Sequence, residues 1–321
     1  MKYFRTLLAI LFLSLEFFSC KKGNESNHAG KWTQVANFPG LPRESAIGFA
    51  IGNKAYVGSG LGDNYYDFYE YNPSVNTWTA RTQFPVTVFE RNDAVGFSIG
   101  DKGYILTGFY SDNLKDVWEF DPVADTWTQK NDFPGVGRLS AAAFSIGNKG
   151  YFGTGVTYNS SGQQCLQDWW EYDPSTDTWK QKADFPNGGR YLATALAANG
   201  KGYFGLGANN LALKDDWWEY DPATDVWTQK ANFPAGGRNA AAGFVIGTSC
   251  YVGNGGLGKP DSVAKDWWEF DVLANKWTQK TSQPQERFAP VAFAINGKGY
   301  VGTGYSSVNF ALNDMWEFEP N

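Results

Sequence analysis

The stretch "WEYDPSTDTW", Trp170 to Trp179, decides the fold. Under the two-residue period of a strand, Trp170 and Tyr172 share one face, "DPSTD" is turn chemistry, and Trp179 opens a second strand roughly opposite Tyr172. The pair Tyr172 and Trp179 is therefore a cross-strand aromatic contact of the kind that buries large area where one small sheet packs on another. Looking outward for copies, equivalent tryptophans stand at 32, 78, 127, 179, 227 and 277, a period of about 50 residues. Each unit carries four short apolar runs between turn signals. A small-residue run such as "AAAFSI" is strand a, and "KGYFGTG" is strand b, whose glycines permit close backbone approach. "DWWEYD" is strand c and "TWTQK" is strand d.

Glycines ending strand b ("VGSG", "FGTG", "FGLG", "VGNGG", "VGTG"), an aromatic in strand c and a tryptophan opening strand d give a pattern that resembles the kelch repeat. The resemblance covers Lys31 to Asn321 and implies a β-propeller with one four-stranded sheet per blade. The double glycine typical of kelch is mostly G-x-G here, and the second blade has only "ILTG". The last copy, "MWEFEPN" at Met315 to Asn321, stops before its partner strand, while an unaccompanied strand d, "KWTQVANFP", stands at Lys31 to Pro39. The expected fold is all-β: a six-bladed propeller of four-stranded antiparallel blades, closed by the N-terminal strand completing the C-terminal blade. The repeated lysines Lys130, Lys230 and Lys280 on the outermost strand are placed to discourage edge-to-edge pairing.

The first residues read as an export signal: Lys2 and Arg5 precede an apolar run from Leu7 to Leu15, which is too short to span a bilayer. "FFSCKKGNES" is similar to the cleavage site of bacterial lipoproteins, which implies lipidation at Cys20, with a plain secretory signal as the alternative. The expected organisation is a signal peptide at 1–19, a lipidated polar tether at 20–30 and the propeller at 31–321, in an exported protein held at the outer membrane, in the periplasm or at the cell surface. Cys165 and Cys250 remain, enough for one disulfide at most, so a disulfide-built scaffold is excluded. A formal charge of -6 argues against nonspecific nucleic-acid binding, which needs a basic surface. A monomer is expected.

In an antiparallel blade the b–c and d–a connections lie at one end. From the last strand-b glycine to the strand-c aspartate the separations are 7, 8, 13, 9, 11 and 10 residues, whereas the a–b and c–d turns are nearly invariant. Binding is therefore expected on the b–c/d–a face. Each d–a connection ends in an arginine: Arg43, Arg91, Arg138, Arg190, Arg238 and Arg287. Six guanidiniums around one channel mouth would attract a carboxylate or sulfate; their recurrence in every blade favours a structural tie of each loop to neighbouring carbonyls or carboxylates. Asymmetry comes from aromatics: Tyr191 and Phe288 follow two of the arginines, Phe89 lies near a third, and Tyr65, Tyr66, Phe109, Tyr110, Tyr158 and Phe310 occupy b–c loops. The candidate ligand contacts are the six arginines with Tyr191, Phe288, Tyr110 and Tyr158.

The strand-c glutamates (Glu70, Glu119, Glu171, Glu219, Glu269, Glu317) recur and read as scaffold, and the strand-c aspartates (Asp67, Asp116, Asp168, Asp216, Asp266, Asp314) read as binding loop amides rather than metal. The single histidine, His28, lies in the tether, so no Ser-His-Asp relay or histidine metal site is built within the propeller. Copper radical oxidases share the kelch repeat but require histidines, which argues against that activity. No cofactor or metal is expected. Two functions stay open: an exported binding module presenting its variable face to a glycan or protein, and a cofactor-free sugar mutarotase or epimerase. The second rests on a resemblance in architecture to the six-bladed kelch mutarotases acting on sialic acid, which implies an arginine and a carboxylate as the working groups; no specific active-site motif of theirs is matched.

Overall fold

The structure, a computed structural model, describes residues 29–61, 65–85, 91–259 and 262–320. The signal segment, Cys20, most of the tether, His28, Phe89 and Asn321 lie outside the described residues. Among the described residues the protein is all-β, with six four-stranded antiparallel sheets arranged as the blades of a propeller. Blade 3 shows the plan: strand a at Ala142–Ile146, b at Lys149–Gly153, c at Trp169–Asp173 and d at Thr178–Lys182. Strand a of each blade packs beside strand a of its neighbours, so small residues line the central channel.

Blade 6 takes its strands a, b and c from Val291–Ile295, Lys298–Gly302 and Met315–Glu319, and its fourth strand from Lys31–Val35. The N-terminal strand runs antiparallel to the last, with Trp32 opposite Phe318 and Lys31 opposite Glu319. The ring thus closes as the two half-built hairpins require. The aromatic pairs also fall in register: Tyr172 sits opposite Trp179 with ring centroids 4.7 Å apart, and Phe318 with Trp32 at 5.0 Å completes the set in blade 6.

Each interface between blades is its own apolar cluster. Strand c serves two of them because alternate residues face opposite sides. Tyr172 packs back onto Tyr104 of blade 2, while the fully buried Trp169 packs forward onto Phe204 and Trp227 of blade 4. The same forward tryptophan recurs as Trp217 and Trp267. A glycine at the second position of strand b makes room: a Cβ on Gly150 would stand 2.7 Å from the ring of Phe97 in the preceding blade.

The strand-c glutamates are scaffold. Tyr104 donates its hydroxyl proton to Glu119 over 2.6 Å, and the same tyrosine–glutamate contact recurs around the ring, as with Tyr203 and Glu219 at 2.7 Å. Lys130, Lys230 and Lys280 fold over these glutamates at 3.7, 3.4 and 2.5 Å. On that outermost strand the ammonium groups also neutralise carboxylates of the adjacent strand. Cys165 and Cys250 are both free thiols.

Candidate functional site

The b–c and d–a loops meet on one face, and the recurrent arginines organise them from below. Every one of the six is buried, with relative exposures of 0 to 2%. In blade 3, Arg138 grips Asp168 with both amino groups, at 2.6 and 2.8 Å, and donates to the carbonyl of Thr154 at 2.9 Å. Arg43, Arg91, Arg190, Arg238 and Arg287 hold Asp67, Asp116, Asp216, Asp266 and Asp314 in the same bidentate way. The second tryptophan of "DWW" completes the carboxylate's shell: Trp170 donates to Asp168 at 2.7 Å. A phenylalanine from the d–a loop lies under most of these guanidiniums, as Phe185 does under Arg190 at 4.5 Å.

This corrects the expectation for Arg43, Arg91, Arg138, Arg190, Arg238 and Arg287. Their donors are consumed by carboxylates and backbone carbonyls, and burial removes them from any ligand at the mouth. The aspartates, read as partners of loop amides, instead bind guanidinium and indole. Burial pushes Asp168, Asp216, Asp266 and Asp314 up, but hydrogen bonds and charge from their arginines overcome it and hold all four below the usual carboxylate range. The arginine backbone stitches neighbouring blades, since Gly155 of blade 3 donates to the Arg190 carbonyl at 2.7 Å.

Above this frame, the residue after each arginine forms a short antiparallel bridge with the residue after the strand-b glycines. The six bridges are Glu44–Leu61, Asn92–Phe109, Leu139–Val156, Tyr191–Ala208, Asn239–Gly256 and Phe288–Tyr305. They make a crown around the channel mouth, in which the frame is sixfold and the side chains are not. The next residue in each loop, Ser45, Asp93, Ser140, Leu192, Ala240 or Ala289, has φ between 48° and 54°. That left-handed turn aims backbone N–H groups around the throat, where Ser140 donates to Asp93, Leu192 to Ser140, Ala240 to Leu192, Ala289 to Ala240 and Ser45 to Ala289, at 2.9 to 3.2 Å.

The crown is filled over blades 2 to 4. There Asn113 joins the blade 2 loop to the blade 3 hairpin by accepting from the Tyr158 amide at 3.2 Å and donating to its carbonyl at 2.8 Å. Gln163 of that hairpin donates to Asn210 of blade 4 at 3.1 Å. Over blades 5, 6 and 1 the crown opens into a pocket of about 540 Å³ lined by Glu44, Asn239, Gly256, Lys259, Ser262, Phe288 and Tyr305, among others. Gly256 shapes one edge of it, because its missing side chain lets Asn239 and Phe288 close in on the backbone: a Cβ there would stand 2.7 Å from Asn239 Oδ1 and 3.1 Å from the Phe288 ring. Phe288 and Tyr305 form an aromatic wall, and Phe310 meets Tyr305 edge-on at 6.3 Å.

The polar lining is unpaired. Among the described residues, the side chains of Glu44, Asn239, Lys259 and Ser262 make no hydrogen bond or ion pair with the protein. Burial raises the Glu44 carboxyl, with the negative charge of Asp93 adding to it; Asp93 is itself raised by burial against a smaller opposing bond from Ser45. Among the described residues no group of three or more His, Cys, Asp or Glu side chains converges as a metal site would require.

Of the aromatic candidates, Phe288 lines the pocket; Tyr191 belongs to the crown but not to the lining, and Tyr110 and Tyr158 are exposed on loops of the filled sector. Glu44, Asn239, Gly256 and Tyr305 were not singled out as ligand contacts. The available signal was position: Glu44 is the sole acid among residues that directly follow the arginines, and Gly256 is the smallest residue in its ring.

No protein-family model matches the chain. A 56-residue stretch, 15% of this chain and 14% of the relative, is 39% identical to the N-acetylneuraminate epimerase of Yersinia enterocolitica, and a 55-residue stretch is 42% identical to that of Shigella flexneri serotype 5b, covering 15% of each. The chain therefore matches about one seventh of the length of these curated relatives. In three dimensions it is similar to a solved protein described as "Structure of YjhT", with a TM-score of 0.74 and 18% identity over 88% of this chain and 96% of that one. At that identity the likeness shows the propeller fold.

Proposed function

We propose that this protein is a kelch-type propeller that binds a saccharide in the pocket between blades 5, 6 and 1. The observation that carries this reading is an aromatic wall, Phe288 and Tyr305, facing unpaired hydrogen-bonding side chains across about 540 Å³. Sugars present an apolar C–H face and a rim of hydroxyls, so they need those two surfaces together. The alternation of wall and polar edge also suits a monosaccharide or a chain end better than a broad protein surface. Export and lipidation at Cys20 remain part of the proposal, with the propeller held at a membrane as a monomer that needs no nucleic acid or metal.

A second reading, cofactor-free anomerisation, is favoured by Glu44. Mutarotation needs a proton removed from the anomeric hydroxyl as the C1–O5 bond breaks and a proton delivered to the ring oxygen, then the reverse after rotation. A carboxyl whose hold on its proton is strengthened by burial and by the Asp93 charge is suited to give and take a proton in turn. The short stretch of similarity to N-acetylneuraminate epimerases supports the same reading.

Saturation-transfer NMR with a monosaccharide panel tests binding, and anomer exchange spectroscopy on each ligand tests the second reading in the same samples. Gly256→Val drives a side chain against Asn239 and Phe288, displacing both from the pocket lining, and should lose every ligand that the parent binds. Ligand contacts that survive in this variant would remove the pocket from the proposal.

A further inference from the structure

The pocket's charge is arranged for a cation. Among the described residues the acid in its lining is Glu44, half-buried on the d–a loop of blade 1 and followed in the neighbouring blade's loop by Asp93 at the throat. Neither carboxylate forms an ion pair among the described residues. The arginine beside Glu44 in sequence, Arg43, is turned into the blade and spent on Asp67. The same holds for Arg91 beside the Asn92–Asp93 turn, which is spent on Asp116. Burying the six guanidiniums thus leaves the mouth with the acids and without the compensating charge.

Among the described residues Lys259 is the one cation in the pocket lining, and it is exposed on the b–c loop of blade 5, where solvent and salt screen it. Glu44 is half-buried in the same lining as the aromatic wall, where a charge is felt more strongly than at the exposed lysine. The repulsion between Glu44 and Asp93 is relieved by a positive group entering between the wall and the carboxylates.

From this arrangement we infer that the sugar held in the pocket carries a free amino group, directed at Glu44 with Asp93 behind it. The inference rests on the saccharide reading and narrows it to amino sugars, against the acidic sugars that a ring of exposed arginines would have selected. Phe288 and Tyr305 take the C–H face, and Asn239 and Ser262 take hydroxyls. No covalent step is involved; the ammonium donates hydrogen bonds to a carboxylate.

Calorimetric titration of the whole protein with glucosamine, N-acetylglucosamine and glucuronic acid separates the possibilities. Glucosamine is expected to bind at least about tenfold more tightly than N-acetylglucosamine, as a charge-assisted bond replaces a neutral one, and glucuronic acid more weakly than both. Glu44→Gln should bring the two hexosamines to the same affinity. Asp93→Asn should shrink the preference without abolishing it. Tighter binding of N-acetylglucosamine or glucuronic acid, or an amine preference unmoved in Glu44→Gln, overturns the inference while the saccharide reading stands. Absence of binding by all three sugars withdraws the saccharide reading and this inference with it.

Discussion

Blades 2 to 4 and blades 5, 6 and 1 carry the same buried Arg–Asp frame and end in different surfaces. Over the first sector asparagines lace neighbouring loops together, Asn113 to Tyr158 and Asn210 to Gln163, and bulky crown residues such as Phe109, Leu139 and Val156 fill the mouth. Over the second sector the crown has Gly256, onto which Asn239 and Phe288 close, and the pocket beside it is walled by Phe288 and Tyr305. A repeated frame therefore fixes where loops sit, while the side chains that differ between equivalent positions decide where the surface opens.

The largest expected effect comes from unfastening the open sector. Deleting Lys31–Val35 exposes strand c of blade 6 and the face that Trp32 covers, and should lower stability by on the order of 5 kcal/mol. Hydrogen exchange should accelerate first in Val291–Ile295 and Met315–Glu319 rather than in blades 2 to 4. Uniform acceleration would mean that the sectors do not unfold separately.

Next come the clamps. Arg190→Ala strands Asp216 in a buried site and should cost about 3 to 5 kcal/mol in denaturant unfolding. Arg287→Ala should cost less, because Gln283 replaces the phenylalanine that lies under Arg190 as Phe185. Equal losses in the two variants would erase that difference between sectors.

Acid should weaken the frame in both sectors. Asp168, Asp216, Asp266 and Asp314 are held below the usual range when folded, so their contribution is present above the unfolded value of about 4 and is lost as pH falls through the lower folded values. Glu44 and Asp93 act oppositely: with folded pKa values raised, they favour the fold at low pH and weaken it as pH rises through those values. Melting curves from pH 7 to pH 2 should therefore fall steeply below about pH 4, and less steeply in a variant lacking one clamp.

Gln283 has 1% exposure, and neither its amide oxygen nor its nitrogen has a partner among the described residues. Gln283→Phe restores the residue of the other blades and should stabilise by about 1 to 2 kcal/mol, read as a raised Tm. A lowered Tm would point to a buried water held there. Smallest of all, Asn113→Ala should cost about 0.5 to 1 kcal/mol, because its two bonds to Tyr158 lie on an exposed surface.

How much of this was legible follows from what repetition can and cannot encode. The blades, the aromatic register at Tyr172 and Trp179, and the closing strand are local patterns multiplied six times, so the sequence states them openly. The arginines' recurrence left a structural tie and a ligand role both open, and their burial decides for the tie. Six arginines and six aspartates recurring on the same face balance one another, and their pairing follows from charge before any geometry. The pocket was hidden for the opposite reason: Gly256 and Glu44 occur once each at their ring positions, and an isolated glycine among many carries no visible mark.

The closing strand also fixes where the two ends of the described ring lie. Lys31 starts beside Glu319, at the circumference, where the other five blades have a c–d turn, and the carbonyl of Ala29 accepts from Thr281 much as the turn residue Asn76 accepts from Ala36 with its side chain. Both termini of the described ring therefore leave side by side from the rim, away from Glu44 and Phe288 at the axis. A tag, resin or surface joined at either end acts as a stem beneath a cup, leaving the mouth unobstructed and turned toward the surrounding solution.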